Sequence, residues 1–268
     1  MKIYQLLVGC QAITLLHLFM RTAFITGATS GIGKAAATRL AGENYRLILC
    51  GRRKEILEEL AGELAQKTDV YTLTFDVRNY EEVQNAVGSL PAEWQAIDIL
   101  INNAGNAHGL EPLTEGKVSD WDMMMDGNVK GLLYVSKCII PGMKERTSGH
   151  IINISSVAAL QTYANGVVYC ASKKAVKTIS EGMRLELTEF GIKITDLAPG
   201  AVETEFSEIR FKGDKDRAAT VYAGYEALKA EDIADVISYV VNAPKHVTIA
   251  DMTIYPSAQA SPTQIFRK

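Results

Sequence analysis

Tyr169 and Lys173, in the stretch YCASK, are spaced so that a helix would place a phenol and an ammonium side by side. A nearby cation favours the phenolate and lowers the pKa of a tyrosine from about 10, which suits the phenol to proton transfer near neutral pH. Ser156 precedes the tyrosine by 13 residues, and its hydroxyl could stabilise charge on a reacting oxygen. Because Tyr and Lys at this spacing are also common on helix surfaces, the chemical interpretation depends on the surrounding motifs.

A glycine-rich stretch, TGATSGIG, follows the apolar run TAFIT and precedes the helical pattern KAAATRLAG. Gly27, Gly31 and Gly33 would let the backbone turn sharply and approach a pyrophosphate, whose charge a helix N-terminus attracts. The alternative is an ordinary strand-to-helix turn of small residues. We favour a loop that binds the phosphates of a dinucleotide. Three further residues complete it: Thr29, Ser30 and Ile32.

The second strand pattern ends in LCGRR, so Arg52 and Arg53 stand where NAD-selective sites usually carry an acidic residue, about 20 residues past the glycines. A guanidinium at this place can bind a ribose 2′-phosphate with two hydrogen bonds, and the Ser30 hydroxyl could add a donor. The pattern therefore favours NADP over NAD. The alternative is a solvated basic start of the next helix.

Two more strand ends carry polar residues. Asp76, in FDVRN, could accept a hydrogen bond from the amine of adenine. The sequence Asn102-Asn103-Ala104-Gly105 predicts a turn of small residues beside the cofactor. Either stretch could instead serve only as a turn.

Short apolar runs alternate with amphipathic segments from residue 22 onward, and this order predicts the fold. Strands that are apolar on both faces and separated by helices favour a parallel sheet covered on both sides. We therefore predict one α/β domain with a Rossmann fold, a doubly wound, mostly parallel sheet of about seven strands with helices on both faces. Ligands of such sheets lie at the carboxyl ends of the strands. The predicted strands contain TAFIT, RLILC, VYTLTF, IDILIN, HIINIS, KITDLA and VTIADMTIY.

Composition and charge exclude several classes of protein. A chain of 268 residues with 47% hydrophobic content can bury a large core, and a net charge of −3 offers no field for nucleic acid. The four cysteines form no CxxC pair, and the four histidines lack the spacing of metal ligands. We predict a cytoplasmic protein without a metal.

The first 19 residues differ from the rest of the chain. They form an apolar extension that ends just before Met20, which begins the strand-like MRTAFITG. We favour a misassigned start over a membrane-associating segment or an export signal, because polar residues interrupt a stretch that is short for a membrane span. The predicted domain boundaries are therefore 1–19 for the extension and 20–268 for the NADP-binding domain.

The motifs together resemble the short-chain dehydrogenase/reductase family over nearly the whole chain from Met20. The resemblance rests on TGATSGIG, NNAG, the spacing of Ser156, Tyr169 and Lys173, and the pair Pro199-Gly200. It implies a catalytic set that also includes Asn128 in GNVKG, which would anchor a water-mediated proton path through Lys173. It further implies cofactor contacts that extend beyond the loop, from Val77, Tyr169, Lys173, Pro199, Gly200, Val202 and Thr204.

A closer resemblance within that family is to the NADP-dependent 3-hydroxy acid dehydrogenases, carried by SLPAEWQAIDILINNAG, PGMKERTSGHIINI, TEFSEIRFKGD and APKHVTI. It implies oxidation of L-allo-threonine, L-serine and similar 3-hydroxy acids, or reduction of malonic semialdehyde. Such substrates need a cation for their carboxylate, and Arg210 and Lys212 are candidates in the substrate-covering loop. Ser156 and Tyr169 would bind the reacting oxygen. One departure is that this chain reads PGAVETEF where relatives carry additional glycine.

Three other functions stay open at this point. A 3-oxoacyl thioester or general carbonyl reductase could use the same fold, and a non-catalytic NADPH sensor that binds partners would need no proton path. A membrane-tethered enzyme would depend on residues 1–19 alone. We expect a small-molecule substrate, no nucleic-acid partner, no membrane partner unless residues 1–19 are genuine, and a homodimer or homotetramer.

Overall fold

The computed structural model describes residues 20–268, so the extension at 1–19 and its predicted misassigned start lie outside the described residues. Within this part of the chain, strands and helices alternate as the sequence predicts. The strands are β1 (Arg21–Thr26), β2 (Tyr45–Gly51), β3 (Val70–Thr74), β4 (Ile99–Asn102), β5 (Gly149–Ile154), β6 (Ile192–Pro199), β7 (Val202–Glu203), β8 (Leu228–Lys229) and β9 (Asp251–Ile254). The α-helices are α1 (Gly31–Ala41), α2 (Lys54–Leu64), α3 (Tyr80–Gly88), α4 (Val118–Met125), α5 (Gly131–Glu145), α6 (Val167–Leu187), α7 (Phe206–Arg210), α8 (Lys215–Tyr222) and α9 (Ala230–Val241).

Seven parallel strands form the main sheet in the order β3-β2-β1-β4-β5-β6-β9, which confirms the predicted doubly wound α/β fold. Strand β1 pairs with β2 on one side and with β4 on the other, so the chain reverses its direction of winding at β1. The crevice outside the carboxyl ends of β1 and β4 is where such a sheet binds its ligand.

Two apolar layers cover the faces of the sheet. On one face α1, α2 and α9 pack over residues such as Ile25, Leu49 and Leu197. On the other face α3, α5 and α6 pack over Phe24 and Ile151. Because helices bury both faces, the strands are apolar without alternation, which explains why the sequence reads as short continuous apolar runs.

The connection between β6 and α9 forms a small addition to this frame. It contains the parallel pair β7-β8 and the short helices α7 and α8, which the sequence predicted only as a loop. A π-helical turn, Asp126–Lys130, joins α4 to α5 and holds Asn128. Within residues 20–268, no helix is both long enough and apolar enough to cross a membrane.

Gly33 tests how closely the backbone of the glycine loop must approach α1. A Cβ at this position would lie 2.3 Å from the carbonyl oxygen of Gly27, so Gly33→Ala must displace the loop. We expect a loss of about 1–3 kcal/mol in the free energy of unfolding, measured by urea denaturation. The control is Gly62→Ala in α2, where no atom lies within 4 Å of the added Cβ. This change should stabilise the protein by about 0.5–1 kcal/mol, and equal losses in both variants would contradict the packing argument.

Candidate active site

A cleft of about 930 Å3 opens at the carboxyl ends of the strands, and nearly all of the predicted site residues line it. Of the site residues named in the sequence analysis, Gly33, Asn102, Asn128 and Lys212 are absent from the lining. The predicted catalytic and substrate-binding residues in the lining are Ser156, Tyr169, Lys173 and Arg210. The predicted cofactor-binding residues in the lining, besides Tyr169 and Lys173, are Gly27, Thr29, Ser30, Gly31, Ile32, Arg52, Arg53, Asp76, Val77, Asn103, Ala104, Gly105, Pro199, Gly200, Val202 and Thr204.

The glycine loop has the geometry of a phosphate cradle. Gly27 and Gly31 adopt φ of +66° and +51°, a left-handed region that favours glycine. Asn103 fixes the loop from the neighbouring strand, because its amide donates to the carbonyl oxygens of Thr26 and Gly27 at 2.9 and 3.2 Å. The N-cap residue of α1, Ser30, makes no side-chain capping bond, which leaves its hydroxyl available to a ligand at the helix N-terminus.

Arginines line the cleft beyond the end of β2. Arg53 donates from Nε and Nη2 to the Thr29 hydroxyl at 3.2 and 2.9 Å, and from Nη1 to Glu205 at 3.1 Å. Arg52 lies 3.8 Å from the Asp76 carboxylate. The guanidinium groups of Arg52 and Arg53 are partly exposed and lie just before the N-terminus of α2. Such a pair fits a ribose 2′-phosphate. Glu205, which sequence reasoning missed, precedes α7 and brings a negative charge to this region.

Asp76 has a different partner from the one that the sequence predicted. Both of its oxygens accept hydrogen bonds from Arg78, a residue that sequence reasoning did not single out. Burial raises the pKa of Asp76, but hydrogen bonds and charge from Arg78, together with the charge of Arg52, bring it below its ordinary value. A bond from adenine to Asp76 stays a prediction, and adenine would have to share this carboxylate with Arg78.

Two of the four predicted catalytic residues, Asn128 and Lys173, meet beneath Gly105. A Cβ at Gly105 would lie 3.0 Å from Asn128 Oδ1 and 3.4 Å from Lys173 Nζ. Lys173 donates to the carbonyl oxygen of Ile154 at 2.9 Å, at the end of β5. Ser156 follows that strand, and its hydroxyl reaches Tyr169 on α6. The helical spacing of Tyr169 and Lys173 thus places both side chains on the cleft side of α6, as predicted.

The π-helical turn holds Asn128 in one orientation. Its Oδ1 accepts from the backbone N–H of Asn106 at 2.7 Å. Its Nδ2 donates to Asn106 O and to the Ser172 hydroxyl, each at 2.9 Å. The side chain is 2% exposed, so these bonds satisfy a buried amide.

Electrostatics at the catalytic pair differ in direction from the sequence prediction. Burial raises the pKa of Tyr169, and this effect outweighs a hydrogen bond from Ser156 and the charge of Arg210, which lower it. Burial also lowers the pKa of Lys173 to about 8, against the charge of Asp196, which raises it. The prediction of a lowered tyrosine pKa took account of the charges of a lysine and of the nicotinamide but not of burial, which penalises a phenolate.

Arg210 lies beside the catalytic pair, whereas Lys212 does not. The Arg210 guanidinium donates from Nη2 to the Tyr163 hydroxyl at 3.3 Å, and its Cζ lies 5.5 Å from the centre of the Tyr169 ring. Lys212 instead donates to the buried carboxylate of Asp120 at 2.7 Å and is absent from the lining of the cleft. Of the two cations in the predicted substrate loop, only Arg210 faces the cleft.

Tyr163 is a cleft residue that sequence reasoning missed. It lines the cleft six residues before Tyr169 and accepts the hydrogen bond from Arg210. The turn-like stretch TYANG was a signal for a loop at the edge of the site, but the hydrogen bond joins residues that are far apart in sequence.

Within residues 20–268, no group of three or more His, Cys, Asp or Glu side chains could hold a metal ion.

Replacement of Arg53 tests whether this guanidinium selects a 2′-phosphate. We expect Arg53→Ala to weaken binding of 2′,5′-ADP about tenfold, because a charge-assisted hydrogen bond is lost. Binding of 5′-ADP, which lacks that phosphate, should stay within about twofold. Calorimetric titration measures both. The control is Lys54→Ala, which removes a neighbouring cation that is paired with Glu58 and lies outside the cleft lining. Equal losses for both nucleotides would contradict a role in selection.

Comparison with known proteins places this geometry in a family. The family model described as short chain dehydrogenase matches residues 21–215. The chain is 43% identical over 237 residues to the NADP-dependent 3-hydroxy acid dehydrogenase YdfG of Escherichia coli strain K12, covering 88% of this chain and 95% of that protein. It is 40% identical over 237 residues to sulfoacetaldehyde reductase 2 of Chromohalobacter salexigens, covering 88% and 94% of the two chains.

Solved structures agree with this match. The closed form of serine dehydrogenase complexed with NADP+ has a TM-score of 0.88 and 41% identity, covering 92% of this chain and 99% of that chain. Serine dehydrogenase from Escherichia coli has a TM-score of 0.78 and 38% identity, covering 89% and 99%. With a matching family model over most of its length and relatives above 40% identity, the chain belongs to the short-chain dehydrogenase family.

Proposed function

We propose that this chain is an NADP-dependent oxidoreductase that transfers a hydride between the nicotinamide and the 3-hydroxyl carbon of a small 3-hydroxy acid. Its substrates would be of the type of L-allo-threonine, L-serine, or 3-hydroxypropionate and its partner malonic semialdehyde. The observation that carries the proposal is the position of Arg210, whose guanidinium lines the cleft and lies 5.5 Å from the centre of the Tyr169 ring.

Each residue of the cleft would contribute a separate part of the chemistry. NADP, when bound, supplies the hydride acceptor for oxidation or the hydride donor for reduction. The Tyr169 hydroxyl would take the proton of the substrate alcohol, or return it in the reverse direction. Ser156 accepts from the backbone N–H of Ala158 at 3.1 Å, and its own bond to Pro199 O is long at 3.5 Å. Its proton, which reaches Tyr169 in this structure, would donate to the reacting oxygen of a substrate bound between the two side chains.

Lys173 and Asn128 would support Tyr169 from below. The Lys173 ammonium would favour the phenolate and hold the nicotinamide ribose, and Asn128 would anchor the proton path. The glycine loop would bind the pyrophosphate, and Arg52 and Arg53 would bind the 2′-phosphate. The donors in this cleft fit NADP, because the loop is open to phosphate and two guanidinium groups flank the ribose position.

The relatives share one chemical feature that supports the role of Arg210. A 3-hydroxy acid carries its carboxylate on the carbon next to the reacting carbon. Sulfoacetaldehyde carries its sulfonate at the same place. An arginine can bind either anion with two parallel hydrogen bonds. A reductase of sulfonated aldehydes is therefore the second candidate function, favoured by the 40% identity to sulfoacetaldehyde reductase 2.

A reductase of neutral carbonyl compounds and a sensor both fit this cleft less well. A 3-oxoacyl thioester or general carbonyl reductase has no need for a cation beside the catalytic tyrosine. A sensor has no need for Ser156, Tyr169 and Lys173 together in one cleft.

Association into a homodimer or homotetramer stays a prediction. It is supported by exposed apolar side chains on α4, α5 and α6, at Val118, Leu133 and Leu185. Cytoplasmic location likewise stays a prediction.

The proposed function is tested by NADP reduction with the purified full-length protein. We expect L-allo-threonine to be oxidised with NADP at a rate at least about tenfold above that with NAD. The reason is that two arginines stand at the end of β2, where an NAD-selective site carries an acidic residue. A neutral secondary alcohol of similar size should react at least about tenfold more slowly. A rate only with the neutral alcohol would favour a general carbonyl reductase. Faster reduction of sulfoacetaldehyde than of malonic semialdehyde would favour the second candidate.

Arg210→Met tests the carboxylate clamp directly. Loss of a charged, two-point contact should lower kcat/KM for L-allo-threonine about 100-fold and leave a neutral alcohol within about threefold. Steady-state kinetics on both substrates measure the difference. Lys212→Met serves as the control because this neighbouring cation is paired with Asp120 outside the cleft lining, and its kcat/KM should change less than about threefold. An unchanged rate with L-allo-threonine in Arg210→Met would exclude the clamp.

A further inference from the structure

Asp196 is a buried acid to which the chemistry above assigns no role. It lies on β6 between Thr195 and Leu197 and is 1% exposed. Among residues 20–268, its Oδ1 has no hydrogen-bond partner. Burying a carboxylate is costly unless charges or donors compensate for the lost water. A buried acid with one unpaired oxygen therefore needs an explanation beyond packing.

Four groups face Asp196 from the elements that pack against it. Lys173 and Lys177 approach from α6, and Lys177 Nζ lies 3.8 Å from Asp196 Oδ2. Asp251 approaches from β9, where it is the register partner of Asp196, and the Ser155 hydroxyl approaches from the end of β5. Burial and the Asp251 carboxylate raise the pKa of Asp196, whereas Ser155 and the two lysines favour its ionised form.

Lys177 does not neutralise Asp196 on its own. Its ammonium donates to Asp251 at 2.6 Å and lies 3.8 Å from Glu181, so three carboxylates share this cation. Asp251 has a further partner in Arg184, at 3.1 Å. The outer part of this chain of charges is therefore well paired near the surface. The Asp196 carboxylate is the buried end of this chain of charges. Its negative charge is only partly neutralised, and it lies on the side of β6 that packs against α6.

Lys173 is the group that can use this charge. It lies one helical turn before Lys177 and is 6% exposed, and its ammonium donates to the Ile154 carbonyl oxygen at 2.9 Å. Asp196 is the register partner of Asn153, which directly precedes Ile154, so its carboxylate lies close to the ammonium of Lys173 and favours the charged form against the effect of burial. The two adjacent serines contact different residues. Ser155 faces Asp196, and Ser156 faces Tyr169.

We propose that Asp196 is a positioning residue that keeps Lys173 charged from behind the active site, while Lys177 and Ser155 keep Asp196 itself ionised. The proposal rests on the proposed function only in taking Lys173 as the cation beside the catalytic phenol. Without Asp196, Lys173 would lose its proton at a lower pH, and Tyr169 would lose its cationic neighbour there.

The test is the pH profile of kcat/KM for NADP-linked oxidation by the full-length protein carrying Asp196→Asn, an uncharged side chain of nearly the same size. Loss of the Lys173 proton should limit activity on the alkaline side. We expect this limb to lie about one pH unit lower in Asp196→Asn than in the unmodified protein. At a pH above the limbs of both proteins, the variant should therefore react about tenfold more slowly. At the plateau below them the rate should change less than about threefold. The profile is measured with whichever alcohol the enzyme oxidises fastest, so the result does not depend on the preference for a hydroxy acid.

Two variants serve as controls. Asp251→Asn removes the carboxylate nearest to Lys177 and should leave the alkaline limb in place. Asp196→Glu keeps the charge and should return the limb toward that of the unmodified protein. A limb that does not move in Asp196→Asn, or a rate that falls equally at every pH, would overturn the proposal. Asp196→Ser repeats the measurement if the amide variant does not fold. If neither uncharged variant folds, Asp196 serves stability and the proposal is also overturned.

Discussion

The burial of the Lys173 ammonium is the constraint on which the candidate active site depends. A cation that is 6% exposed must obtain from the protein what water would have supplied. The carbonyl oxygen at the end of β5 accepts one hydrogen bond, and the charge of Asp196 lies behind it. Gly105 leaves room above it, since any side chain there would press on the ammonium. The candidate active site therefore needs strand β5, strand β6 and the turn after β4 at one point. A parallel sheet provides this, because the carboxyl ends of its strands lie at the same edge.

The two halves of the cleft are linked through one short segment. Glu205, at the start of α7, pairs with Arg53 on the cofactor side. Arg210, at the end of the same helix, bonds to Gly109 and Tyr163 on the substrate side. Phe206 between them packs its ring 5.8 Å from that of Tyr169. The six residues from Glu205 to Arg210 thus contact the proposed phosphate site, the catalytic tyrosine and the residues of the proposed clamp.

Where the structure differs from the sequence prediction or adds to it, burial or an unpredicted side-chain partner is the reason. The phenol of Tyr169 loses its hydration, so its pKa rises although cations are near. Lys212 is taken up by Asp120, a residue of α4 that is about 90 positions away in the chain. Asp76 is engaged by Arg78 only two positions on, because the turn after β3 folds back on itself. Neither hydration nor these pairings can be seen in a spacing pattern.

The sequence by itself determined the fold and most of the candidate site. Continuous apolar runs separated by helical patterns specify a covered parallel sheet, and glycine spacing specifies a loop that only small residues can form. The position of Tyr169 one turn before Lys173 follows from helix geometry alone. The tertiary structure decided which charges act on those residues. Asp196 acts on Lys173, Tyr163 bonds to Arg210, and Glu205 pairs with Arg53, and the two members of each pair are distant in sequence. Side-chain electrostatics depend on distance and burial in space, which a linear order of residues does not contain.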